Sequence, residues 1–213
     1  ETFTEAIDIR TRGDHLKKIC GVLTTKGEIK TEVVVLAAGS DSLLLAQKVG
    51  VELPITPYRH EIMVTDPLEH ILEPMIISPD VYFHQTDHGE IVGGMANPDE
   101  VEGFNTRSSL NWLEMFAERM VKLIPSLASV NVVRQWAGVY DTTPDDHAVH
   151  AYFKEVEGFV QCSGFSGHGF MLAPAVALGL SELIVDGHTS VPIGEFNLSR
   201  YEEGKIIRER SVV

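Results

Sequence analysis

The chain has 213 residues, 44% hydrophobic and 23% charged, the balance of a globular protein with one or two domains and a substantial core. A net charge of −14 with no run of four Lys or Arg argues against nucleic-acid binding, which needs basic clusters, and disfavours an anionic membrane surface. The two cysteines, Cys20 and Cys162, make neither a disulfide framework nor a metal spacing, which makes a reducing, cytoplasmic compartment the default, and no run of 18 uninterrupted apolar residues predicts a transmembrane span.

Thr2 to Arg10 alternates as a strand does, and a strand this close to Glu1 predicts that the natural polypeptide starts earlier, with a trimmed chain as the alternative. Ile19, Val22 and Leu23 lead to a turn at Lys26-Gly27. The run Val33-Val-Val-Leu-Ala-Ala38 reads as a strand buried on both faces. Ser40 or Asp41 is placed to cap a short helix over 42–49 that stops at Gly50. Pro54 and Pro57 mark a junction. Beyond it, 58–65, 75–78, 81–85 and 90–94 read as strands, with a hairpin turn at His88-Gly89. Ser108 or Ser109 caps a helix with Leu113, Phe116, Ala117, Met120 and Ile124 on one face, ended by Pro125. A strand over 130–140 with Trp136 near its centre follows, then strands at 148–152 and 158–162, where Cys162 reads as a buried thiol. A helix from Ala173 carries Val176, Ala177, Leu180, Leu183 and Ile184 and ends at Gly187. The pattern is two outer pieces around an inserted antiparallel layer.

The most informative stretch is Gly164-Phe-Ser-Gly-His-Gly-Phe170, a glycine-rich turn between a buried strand and an apolar helix. It sets unhindered backbone N–H groups at a helix N-terminus, suited to an anion or the electron-rich edge of a cofactor. Three readings stay open on spacing alone. They are a nucleotide or flavin contact loop, a nucleophile elbow around Ser166 that departs from G-x-S-x-G at His168, and a plain structural turn with Ser166 as a cap. Nine histidines include the pairs His84/His88, which flank a turn, and His147/His150, three apart on a strand or loop; neither has the placement on a helix of a metalloprotease motif, and no metal site is expected. Arg59 can pair with a carboxylate in a bidentate manner, and His60 or Glu61 can assist a proton transfer; the alternative is a charge cluster at a strand edge. Tyr140, at a strand end before Thr142-Thr-Pro-Asp145, can reach into a cleft or serve packing alone.

Taken in order, Val33 to Gly39, Pro57-Tyr-Arg-His-Glu-Ile-Met-Val64, Trp136-Ala-Gly138, Thr143-Pro-Asp145 and Gly164 to Phe170 resemble the D-amino-acid-oxidase-like family of FAD-dependent amine oxidoreductases, in its branch of sarcosine oxidases and of the β subunits of sarcosine oxidase and proline dehydrogenase. The resemblance implies an α/β (α+β) fold: an incomplete FAD-binding domain from residues 1–54 and 141–213, and an inserted antiparallel-sheet substrate domain over 55–140. It implies that Ala38, Gly39, Gly164, Phe165, Ser166, Gly167, His168, Gly169, Phe170 and Met171 lie along a non-covalent FAD. It also implies that Tyr140 faces the substrate, with His60 and Arg59 on the strand that enters the substrate domain. Oxidation of the C–N bond of a small amino acid or N-methyl amino acid is the implied activity, with partner subunits compatible. A non-catalytic binding module of the same descent is the alternative, and a serine hydrolase a more distant one.

The family's N-terminal G-x-G-x-x-G, which holds the FAD pyrophosphate on a helix N-terminus, has no counterpart in this sequence. The expectation is therefore the C-terminal part of a longer flavoprotein, unable to hold FAD tightly by itself and inactive alone. Gly138 stands where some relatives attach flavin through cysteine, Met171 where a lysine binds the substrate carboxylate, and residues 90–95 lack the lysine used with oxygen. These departures favour a dehydrogenase or β-subunit-like enzyme over a sarcosine oxidase proper.

Overall fold

A computed structural model describes residues 1–78 and 81–207 of the chain. The chain divides into two compact units: the first joins Glu1–Thr56 to the segment from Asp141 onward, and the second runs from Pro57 to Tyr140. Residues 208–213 of the expected cofactor domain lie outside the described residues.

The first unit holds two small sheets. In one, β1 (Ala6–Arg12), β2 (Lys17–Thr24) and β3 (Gly27–Lys30) form an antiparallel meander on which β2 is the centre. In the other, β4 (Val34–Leu36) lies at an edge. Gly39–Asp41 form a 3-10 turn, and α1 (Ser42–Val49) ends at Gly50 in the left-handed conformation. Neither Ser40 nor Asp41 caps α1. The Ser42 hydroxyl instead accepts from the Ala38 N–H at 3.1 Å, because the 3-10 turn runs directly into the helix and leaves no extended capping residue.

The second unit is a five-stranded sheet with one helix across it. Its strands are β5 (Thr56–Thr65), β6 (Ile76–Ile77), β7 (Tyr82–Gln85), β8 (Ile91–Met95) and β9 (Val132–Thr142), in the order β6-β7-β8-β5-β9. The three pairs from β6 to β5 are antiparallel, and β9 completes the sheet beside β5. The strand expected over 75–78 shortens to two residues. Helix α2 (Leu110–Leu123) is capped by Ser109, whose hydroxyl accepts from Trp112 N–H at 3.3 Å. Its core face is Trp112, Phe116 and Met120, packed on Met63, Phe83, Ile91 and Met95.

The chain then returns to the first unit. There β10 (Val149–Tyr152) pairs antiparallel with β12 (Phe159–Ser163), and β12 pairs parallel with β4. The short β11 (Val156–Glu157) pairs parallel with β2. Helix α3 (Gly169–Asp186) packs Val176 and Leu180 on Val160, and α4 (Ser199–Glu202) follows. α3 starts four residues before the position expected from its apolar spacing, so Phe170 and Met171 belong to its first turn, and Ala177, expected to pack, is exposed.

Two expectations about burial give way. β4 and its flanks are not covered on both faces: Val34 and Leu36 pack into the core, whereas Val33 and Val35 are 39% and 44% exposed and Ala37 and Ala38 are exposed. α3 likewise leaves Met171, Pro174, Leu178 and Val185 in solvent at helical spacing. By length and composition α3 is long and apolar enough to cross a membrane, though its sequence contains no uninterrupted apolar run of that length.

In the second unit the Glu61 carboxylate, 1% exposed, ties three elements together. It accepts from Ser109 N–H at 2.7 Å, Ser109 hydroxyl at 2.8 Å and Gln135 amide at 2.8 Å, with the Arg59 guanidinium 3.6 Å away. Removing one partner of such a buried network strands the others, at a cost of about 3 kcal/mol. Glu61→Ala is therefore expected to lower unfolding stability in urea by about that amount; a loss under about 1 kcal/mol would show that the carboxylate is not the tie described.

Candidate functional site

Each unit presents one group of candidate residues. In the first, the turn between β12 and α3 is held from the end of β9. The Asp141 carboxylate, 8% exposed, accepts from Gly164 N–H at 2.6 Å. Gly164 sits at φ +83°, and a Cβ there would lie 2.5 Å from Thr143 Cγ2, so only glycine lets the two segments meet. Ser166, also left-handed at φ +49° and buried, accepts through its hydroxyl from Thr143 N–H at 3.2 Å. That hydroxyl closes the turn, which removes the nucleophile-elbow reading: the side chain is turned inward rather than offered at the surface.

Beyond the clamp, His168 N–H bonds the Phe165 carbonyl at 2.8 Å, and His168 is the N-cap of α3 without a side-chain bond to the helix. The first intrahelical donor is Leu172, bonded to the His168 carbonyl at 3.3 Å. The N–H groups of Gly169, Phe170 and Met171 thus precede the helical ladder, at the positive end of an 18-residue dipole. Phe170 is 96% and Met171 70% exposed beside them. Ala38 and Gly39 lie on the 3-10 turn that packs against β12, and Gly39 has open space where a Cβ would stand. An uncapped helix start, exposed apolar side chains and an unobstructed alanine–glycine turn fit one edge of a flat, electron-rich ring. Gly164 and Ser166, expected along the cofactor, also bond to Asp141 and Thr143 and shape the turn.

Two further groups support this region. Asp145 forms a bidentate pair with Arg200 (Nε–Oδ2 and Nη2–Oδ1 both 2.9 Å), and Tyr201 donates to it at 2.7 Å. Burial acts to raise the Asp145 carboxyl, but the bonds from Arg200 and Tyr201 and the guanidinium charge outweigh it and hold the group well below the usual carboxylate range. Cys162 is pushed up to about 11 by burial and by the Asp141 charge, so it is a neutral thiol.

In the second unit, side chains on β5 alternate. Glu61 and Met63 turn toward α2, and His60 turns to the opposite face. There its imidazole stacks on Tyr140 of β9, with centroids 4.3 Å apart and 5° between planes, and on Tyr82 of β7 at 5.7 Å and 17°. His60 Nε2 is 3.0 Å from the Tyr82 hydroxyl. Burial lowers His60 to about 4, so the ring is neutral at physiological pH. Burial, with the adjoining Tyr140, raises the Tyr82 phenol, and burial raises Tyr140. The cluster is therefore uncharged and offers hydrogen bonds rather than a fixed charge. Sequence reading passed over Tyr82; the signal was its place at the start of an alternating run directly after Val81, on the same face as His84.

Arg59, expected as a carboxylate partner, has its donors occupied within the unit. Nε and Nη2 reach Glu100 at 3.1 and 2.8 Å, and Nη1 reaches the Arg107 carbonyl at 2.7 Å. Among the described residues no group of three His, Cys, Asp or Glu side chains is arranged to hold a metal ion.

The family described as FAD dependent oxidoreductase (DAO) matches residues 2–183, and the chain belongs to it. It is similar to the sarcosine oxidase β subunits of Rhodobacter capsulatus, 28% identical over 97% of this chain and 49% of that protein, and of an Arthrobacter species, 31% identical over 91% and 48%. Among solved structures it is similar to L-proline dehydrogenase from P. horikoshii, with a TM-score of 0.88 and 34% identity over 95% of this chain and 55% of that one. The chain thus spans about half the length of the curated relatives it matches.

Two buried histidines, one per unit, set the acid sensitivity. His60 and His150 are both lowered from 6.5 to about 4, each chiefly by burial and His150 also by the Arg200 charge. The unfolded chain therefore takes up these protons first. The stabilisation is complete above pH 6.5 and is lost as pH falls toward 4. At pH 5 the loss is roughly 2 kcal/mol for each histidine. Thermal melting should accordingly fall between pH 7 and pH 5, and His60→Asn should flatten part of that slope; an identical slope in the variant would count against a buried neutral His60.

Proposed function

We propose that this chain is the part of an FAD-dependent oxidoreductase that carries its substrate face and one edge of its flavin site, and that the complete enzyme oxidises the C–N bond of a small amino acid or N-methyl amino acid. The observation that carries this reading is the open N-terminal turn of α3, clamped by Asp141 and Thr143, in a chain of this family. Bound FAD would supply the two-electron acceptor for that oxidation.

The chain's own residues take the remaining roles. The N–H groups of Gly169, Phe170 and Met171 offer positive potential to an anionic ring edge, and Ala38 and Gly39 leave room beside it. The Tyr140 hydroxyl orients the substrate by hydrogen bonding. His60, neutral and stacked on Tyr140, holds that ring in place and offers the substrate amine a hydrogen bond without charge. Arg59 fixes the start of β5 through Glu100. Relatives named as sarcosine oxidase β subunits and as proline dehydrogenase support a secondary amino acid as substrate and assembly with further subunits.

The exposed stripe of α3 and the open edge of β4 support a second element of the proposal: the flavin site is completed by polypeptide beyond these 213 residues, and the chain alone holds FAD weakly and is inactive. The rival reading, a binding module of the same descent, retains no reason for an uncapped α3 turn.

The test is to load the full-length natural protein with FAD and add sarcosine, glycine or L-proline without oxygen. Bleaching of the flavin absorbance by at least one of them is expected, and none by any amino acid would sink the oxidoreductase reading. After gel filtration the 213-residue chain should carry well under one flavin per chain; a stoichiometric flavin band would overturn the second element alone.

A further inference from the structure

Two turns meet in the first unit, and each holds one residue other than glycine in the left-handed conformation. Ser166 lies in the turn before α3 at φ +49°, and Asp146 ends a turn that starts at Thr143, at φ +59°. The Asp146 N–H closes that second turn on the Thr143 carbonyl at 3.2 Å. A side chain is uncommon in this region of the backbone and persists there where its neighbours fix it. Arg200 of α4, 2% exposed, grips the residues on both sides of Asp146. Its guanidinium holds the Asp145 carboxylate by two bonds and donates from Nη2 to the His147 carbonyl at 2.7 Å. Nη1 reaches the Asn197 carbonyl at 3.0 Å. The His147 carbonyl also accepts from the Thr143 hydroxyl at 2.8 Å. Thr143 then touches the other turn twice: its N–H bonds the Ser166 hydroxyl, and its Cγ2 lies 2.5 Å from where a Gly164 Cβ would stand.

We propose that Arg200 is a positioning residue for the flavin-side turn: from α4 it sets residues 143–147, and through Thr143 it sets Ser166 and the first N–H groups of α3. This rests on the flavin role given above to that turn. α4 is four residues long, and its one buried side chain is Arg200. A buried ion pair adds little net stability over apolar side chains of similar volume, because both charges give up water. What the pair supplies here is geometry. The planar fork of arginine, with two bonds to one carboxylate, fixes direction as well as distance. Its further bond to the His147 carbonyl fixes the acceptor on which the Thr143 hydroxyl is set. The linkage therefore runs without a gap from α4 through residues 145, 147 and 143 to the turn before α3. The family match covers residues 2–183, so it takes in both turns and not Arg200.

The test uses the full-length FAD-loaded protein. Arg200→Met alone strands a buried carboxylate, so it is combined with Asp145→Asn, which leaves a neutral amide and an acceptor oxygen in its place. Hydrogen exchange is read by mass spectrometry over residues 141–147 and 164–172. Both segments should exchange about tenfold faster in the double variant, the effect of one lost hydrogen bond, with residues 6–30 of the same unit unchanged. The flavin midpoint potential should fall, because N–H groups no longer held in place favour the reduced ring less. A tenfold weaker preference for the reduced form is about 30 mV for a two-electron couple. Arg200→Lys keeps the charge and loses the fork; it should show the same changes in smaller measure, and it carries the test if the double variant does not fold. Unchanged exchange over 164–172 would overturn the proposal and leave Arg200 as a staple for α4. Equal acceleration over 6–30 would overturn it too, as a loss of stability alone. Faster exchange confined to the two turns with an unchanged potential would support the linkage and count against the flavin reading beneath it, so the two fail separately.

Discussion

Period-two alternation along β5 is the constraint on which the second unit depends. Two consecutive side chains, His60 and Glu61, are both buried, yet they serve opposite faces of one sheet. Glu61 is spent inward, on the N-cap of α2 and on Gln135 of β9. That bonding pins β5 against its neighbour and against the helix. A one-residue slip would put a carboxylate among the tyrosines and an imidazole under α2, so the placement of His60 between Tyr82 and Tyr140 follows from the anchoring of Glu61.

The first unit solves a similar problem with backbone donors. Its glycine turn is held in shape by Asp141 at the end of β9 and by Thr143 just beyond it. The same segment continues into Asp145, which binds Arg200 and Tyr201 from α4. Residues 141–145 therefore work as a bracket, with one end on the turn before α3 and the other on the chain's last described helix. A motif read from sequence as Thr-Pro-Asp thus has a mechanical meaning: the aspartate is fully occupied in holding and stays ionised to do it.

Much of this was legible in the residues. Ser109 before an amphipathic run announced α2, glycines 50 and 187 announced helix ends, and the β8 turn and strands followed from ordinary hairpin chemistry. The glycine turn before α3 was visible as a site of exposed N–H groups. What failed to show were properties decided by neighbours distant in sequence. The apolar run 33–38 looked doubly buried, because composition reports what a strand is suited to and not whether both faces are covered in this chain. The bonds from Gly164 to Asp141 and from Thr143 to Ser166 did not show in the motif, because the partners lie 23 residues apart. Arg59 looked free because its partners, Glu100 and Arg107, lie some forty residues on. Tyr82 escaped notice because its reach depends on the absence of a side chain at Gly94, on another strand.

The pairing of β4 with β12 has a consequence for how the chain comes to its fold. Val34 meets Phe159, and Val156 meets Lys17, so each sheet of the first unit is closed by a strand from the other side of the insertion. The inserted unit closes on local hairpins from β6 to β8, whose partners are near in sequence. Non-local parallel pairs pay their loop-closure entropy late and form slowly, while local hairpins form early. During synthesis the β1–β3 meander can close on its own local pairs, while β4 and the outer side of β2 wait for β12 and β11. The two parallel pairs are thus the late steps, and the glycine turn that follows β12 is among the last features to acquire its shape.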